Sequence, residues 1–111
     1  VTVCDMDTST PKGLIEAMRY LKQQHDMTHV MVEGGPATAL SFLKAGLIDR
    51  VILVRATTVT FANPVPSGLS DEVFEGSGLE RVGAYELDVD SVECWSKEGL
   101  PWPTKDPGSW P

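Results

Sequence analysis

The chain reads as an α/β fold: a mainly parallel sheet flanked by helices, with an antiparallel C-terminal hairpin. Three observations predict it. Short apolar runs rich in β-formers alternate with stretches of helical periodicity through residue 56, and such alternation favours right-handed crossovers and parallel pairing. One run, Val51-Ile52-Leu53-Val54, is continuously apolar, the pattern of a strand covered on both faces. Residues 79–87 and 91–95 then read as two strands joined by the acidic turn Asp88-Val89-Asp90, which predicts a hairpin at the sheet edge.

The elements follow in order. Val1–Cys4 is a candidate strand. Thr10 and Pro11 read as N-cap and first helical residue, opening a helix to about residue 24 with Leu14, Ile15, Met18 and Leu21 on one face. Val30-Met31-Val32 reads as a buried strand. After Glu33-Gly34-Gly35, Pro36 opens a helix through Ala45 that stops at Gly46, its buried stripe marked by Ala39, Leu40, Leu43 and Leu47. Residues 57–78 carry Asn63-Pro64, Pro66, Gly68, Gly76 and Gly78, which predicts mostly loop with one helical turn near Ser70–Phe74. Prolines 101, 103, 107 and 111 forbid regular structure beyond Gly99. The organisation is therefore one partial domain over residues 1–98 and a Pro/Trp-rich tail over 99–111.

Composition narrows the partners. A formal charge of −7 argues against nucleic acid and anionic membranes, which want a basic field. A small anion remains compatible, because helix-start dipoles bind phosphate locally. No apolar run approaches the ~20 residues of a membrane span, and no cationic, apolar leader is visible. An intracellular, cytoplasmic protein is expected, with a plastid as the alternative in a photosynthetic eukaryote. The start at Val1, already in a strand-like run, reads as part of something longer. Cys4 and Cys94 lack metal-ligand spacing and are expected as free thiols, a disulfide being the alternative.

The richest segment is Val32-Glu33-Gly34-Gly35-Pro36. A strand, a carboxylate, two glycines and a helix start outline a phosphate-binding turn, since glycine admits a ligand to the backbone and the first N–H groups are free. Glu33 falls at a strand's carboxyl end, where ligands sit in open α/β sheets; the bland alternative is that it accepts N–H bonds from its own loop. His25 and His29 imitate a zinc-protease pair, but that motif needs one continuous helix face, and the helix ends between them, so no metal site is assigned. Ser9 and Ser41 lack the context of a nucleophile. Asp71, Glu72, Glu75, Asp88 and Asp90 read as loop and turn acids, and Trp102 among prolines as a tail folded back on the sheet edge.

Residues 28–49, THVMVEGGPATALSFLKAGLID, resemble the reductase domain of riboflavin biosynthesis, found in the bifunctional pyrimidine deaminase/reductase and in stand-alone reductases. The resemblance covers the C-terminal half of that dihydrofolate-reductase-like domain and is densest over residues 10–56. It implies an NADPH-dependent oxidoreductase that opens the ribose of a 5-phosphoribosylamino-pyrimidine and reduces C1′ to the ribitylamino product. Glu33 would be the substrate-facing catalytic carboxylate. Gly34 and Gly35 would let NADPH lie against the backbone, and Pro36, Ala37, Thr38, Ala39 and Leu40 would form the helix start that meets its pyrophosphate. Contacts to the 2′-phosphate are unmarked, with Lys44, Arg50 and Arg55 the cations to consider. The partners implied are a small phosphorylated pyrimidine and a second subunit, as a homodimer. Two rival readings are a non-catalytic remnant used for dimerisation or assembly, and a related NADPH-dependent reductase acting on another pterin or pyrimidine. The strand usually ends Ala-Pro in that family and here reads Ala56-Thr57; the loop through Pro66 and the Trp-Pro tail also depart from it.

Overall fold

The computed structural model describes residues 3, 5–57, 60–64 and 66–100. The chain divides into two compact units, Val1–Leu47 and Ile48–Pro111.

Helix α1 spans Pro11–His25 in the first unit. Its start is as the sequence predicts: the Thr10 backbone is extended and its hydroxyl accepts the Gly13 N–H at 3.1 Å, satisfying one of the helix's orphan donors. Gly13 is demanded by a neighbour, because a Cβ there would stand 1.8 Å from the Asp7 carbonyl oxygen. Asp7 itself accepts from the hydroxyl and the N–H of Ser9, and these bonds hold its carboxyl below the usual carboxylate range. The helix ends at Asp26, left-handed at φ 50°, whose N–H reaches the Leu21 carbonyl. Leu14 is buried and Ala17, Met18 and Leu21 are half-buried, whereas Ile15, expected on the same face, is exposed.

Helix α2 spans Pro36–Lys44. It closes on Gly46 at φ 70°, with the Gly46 N–H bonded to the Leu43 carbonyl and the Leu47 N–H to that of Phe42, both at 3.0 Å. That pair of bonds is the Schellman stop, and it needs a residue at ease with positive φ. Leu43 is buried and Ala39, Leu40 and Leu47 half-buried, so the expected stripe is present.

The second unit is built on a three-stranded sheet. Its strands are β1 (Arg50–Arg55), β2 (Leu79–Leu87) and β3 (Asp90–Lys97), in the order β1-β3-β2. Leu87 opposes Asp90 at the hairpin, which turns through Asp88 at φ 57°. On the other side of β3, Ile52 opposes Cys94 and Val54 opposes Val92. A bulge between Arg81 and Gly83 leaves Val82 out of register. Short helix α3, Asp71–Gly76, starts at Ser70, whose hydroxyl accepts the Val73 N–H. It sets Phe74 against Trp95 at a ring separation of 5.1 Å, and these two with Leu79 are nearly solvent-free. Buried Ser96 donates to the Leu100 carbonyl.

Two expectations are corrected. The sheet is not mainly parallel: among the described residues every strand pairing is antiparallel. Parallel pairing needs two strands of the alternating half in one ladder. Val51–Val54 enters the sheet, but Val30-Met31-Val32 forms no strand, and Val30 and Met31 are exposed. The hairpin brings β3 to the centre instead, and β1 meets it head to tail. Nor is β1 covered on both faces; Ile52 and Val54 are 47% and 55% exposed, whereas Val51 and Leu53, which point to the opposite face, are half-buried. Val1, Thr2 and Cys4 of the first expected strand, and residues 101–111 of the expected tail, lie outside the described residues. Cys94 is a free, buried thiol.

Candidate functional site

The run Glu33–Leu40 passes from an irregular, exposed segment into the first turns of α2. Glu33, Gly34, Gly35, Pro36, Ala37 and Thr38 are all exposed, and Ala39 and Leu40 are half-buried as the helix turns inward. Glu33 thus precedes the glycines, as expected, but not from the end of a buried strand.

The two glycines sit in different surroundings. A Cβ on Gly34 would stand 2.8, 3.0 and 3.1 Å from Cβ, Cγ2 and Oγ1 of Thr38, so a larger residue there would collide with the helix. A Cβ on Gly35 would meet nothing within 4 Å. Gly35 holds an ordinary φ of −65° as N-cap and offers no side-chain cap bond. Serine, aspartate or asparagine would satisfy a helix N–H at that position, whereas glycine adds backbone entropy to the unfolded chain. Pro36 has no N–H. The N–H groups of Thr38 and Ala39 both turn back to the Gly35 carbonyl, at 3.0 and 3.2 Å. Among the described residues no acceptor takes the Ala37 N–H. The result is an uncrowded helix mouth presenting the Ala37 N–H and the positive end of the helix dipole.

Other candidates fall away by geometry. His25 closes α1, its ring edge-on to Tyr20, while His29 lies beyond the helix beside the Thr28 hydroxyl; they share no helix face. Arg55, considered for a 2′-phosphate, is held by Glu93 at 3.2 Å and Asp71 at 3.9 Å. Trp95 donates to the other Glu93 oxygen, so this cluster ties β1 and α3 to β3. It was illegible in the sequence because its members lie far apart there. A groove of about 440 Å³ in the second unit is lined by Glu75, Glu80, Arg81 and Glu98 with Gly78 and Leu79; three carboxylates to one arginine suit no phosphate. Sequence reasoning also missed the Thr38 side chain, which it used only as a helix-start N–H.

Residues 12–88 match the family model of the RibD C-terminal domain. The chain belongs to that family. It is the reductase domain of riboflavin biosynthesis, so the chain is of an oxidoreductase type, and the match takes in the glycine turn, both helices of the first unit and strands β1 and β2. Comparisons with curated proteins and with solved structures gave no match. No helix among the described residues is long and apolar enough to cross a membrane.

Proposed function

We propose that this domain carries the NADPH-binding turn and one substrate-facing carboxylate of a riboflavin-pathway reductase acting on a 5-phosphoribosylamino-pyrimidine. The observation that carries the reading is Gly35. Neither crowding nor positive φ asks for glycine there. Glycine serves as an N-cap even without a side-chain bond, and it also leaves the backbone open to close approach of a ligand, which is the role proposed for it. The family match adds the class of ligand.

When bound, NADPH would supply the hydride that reduces C1′ of the opened ribose. The chain's own part is placement and charge. Gly34 and Gly35 admit the cofactor to the backbone, and the start of α2, Pro36 to Leu40, receives its pyrophosphate at the positive end of the helix dipole, where the Ala37 N–H is left to donate. Glu33, next to the turn, orients the ribose hydroxyls of the substrate by accepting their hydrogen bonds. Such a role predicts a division of effects: Glu33→Gln in the full-length enzyme lowers kcat by about a hundredfold, within the range for a positioned acid–base or orienting group, while NADPH affinity stays within about threefold. Steady-state kinetics beside calorimetric titration checks this, and equal loss in both would remove Glu33 from the substrate side.

The assembly reading finds one supporting observation, the half-exposed Ile52 and Val54 on edge strand β1, since such edges invite pairing. A homodimer is compatible with either reading; binding of NADPH separates them.

A further inference from the structure

The two adjacent glycines have separate reasons to be glycine, and the reason for the first is a side chain. Thr38 lies on the first turn of α2, three of its side-chain atoms within 3.1 Å of the point a Gly34 Cβ would occupy. Real Cβ atoms do not approach other carbons at 2.8 Å, so any larger residue at 34 must push the turn away from the helix or unwind its start. The Gly35 carbonyl, one residue on, accepts from both Thr38 and Ala39. A displacement at Gly34 is therefore passed directly to the N-cap and to the donors of the helix mouth.

We propose that Thr38 is a positioning residue: its side chain is the stop against which Gly34 rests, and that contact sets where the Gly35 backbone and the Ala37 N–H stand for an anionic ligand. This rests on the cofactor reading above. Thr38 acts here through Gly34, so its side chain need not touch the ligand. Gly34 is replaceable only when Thr38 makes room. A side chain at Gly35 meets no neighbour and costs only the weaker N-cap preference of the new residue, but it still loses binding.

The test is a double-substitution cycle in the full-length protein, read by calorimetric titration of NADPH and by the amide resonances of Gly35 and Ala37. Gly34→Ala should weaken NADPH binding by about tenfold or more and shift both resonances. Adding Thr38→Gly to that variant should recover most of the affinity and return the resonances toward their original positions. Gly35→Val should weaken binding and gain nothing from Thr38→Gly. Binding by Gly34→Ala equal to that of the unsubstituted protein, or a double variant no better than Gly34→Ala alone, would overturn the inference while leaving the cofactor reading standing. An unsubstituted protein that binds no NADPH would sink the cofactor reading; the contact itself is then still judged by the resonances, which must move and return in the same pattern.

Discussion

The unit that carries the glycine turn and the unit that carries the sheet are built to different standards. In the first, Leu14 and Leu43 are the buried hydrophobic residues among those described, while Met27, Val30 and Met31 stay exposed. In the second, Phe74, Leu79, Val92, Cys94 and Trp95 form a dry core backed by two strand ladders. The difference separates two tasks. A backbone anion site needs uncrowded N–H groups at a helix start and little else, so it can sit on a thinly packed unit. Cooperative stability needs buried area, and the sheet unit has more of it.

Cutting each core should separate the two units most widely. Trp95→Ala removes the ring that holds Phe74 and should cost about 3–5 kcal/mol, near the top of that range because Trp95 is nearly solvent-free. Leu43→Ala in the thinly packed first unit should fall in the lower part of its range of about 2–5 kcal/mol. Urea denaturation followed by circular dichroism measures both. A Leu43 substitution costing more than the Trp95 one would reverse the assignment of stability to the sheet.

A smaller effect concerns pH and belongs to the sheet alone. Burial pushes the Cys94 thiol up, with the hydrogen bond from Tyr85 pulling the other way. Burial also pushes the Tyr85 phenol up, and Cys94 beside it adds to the rise. Raised folded values favour the neutral forms. The stability they confer is full below the ordinary thiol value of about 8.5 and is lost as pH rises through the folded values. The denaturation midpoint of the sheet should fall as pH rises above the ordinary thiol value, and Cys94→Ala should flatten that fall. A midpoint that drops equally in the alanine variant would assign the alkaline loss to other groups.

How much of this was legible in the sequence depended on distance along the chain. The caps at Thr10-Pro11 and Pro36, the stop at Gly46, the turn at Ser70 and the hairpin through Asp88 are all set by residues within five positions of one another, and local chemistry decides them. Strand partners are another matter. The apolar run at Val51–Val54 looks alike as an inner parallel strand or as an edge paired with a segment some forty residues away; nothing within the run distinguishes the two. The same holds for the Arg55–Glu93–Asp71 cluster, whose members come from three elements. For the site, the order carboxylate, glycine, glycine, helix was readable in one line of sequence. That Gly34 answers to Thr38 and Gly35 to open space was not, because both residues are simply glycine until the helix is in place.

The proposed cofactor would lie against the open face of Gly35. The most direct test is a titration of NADPH, with NADH as control, into the full-length protein and its Gly35→Val variant, alongside the melting temperature of each. The expected result is saturable binding that favours NADPH, its loss in the variant, and melting temperatures within about 4 °C, the shift that some 1 kcal/mol makes in a domain of this size. Unchanged NADPH affinity in a folded Gly35→Val protein would contradict it, and the glycine turn would then be a structural feature rather than a cofactor site.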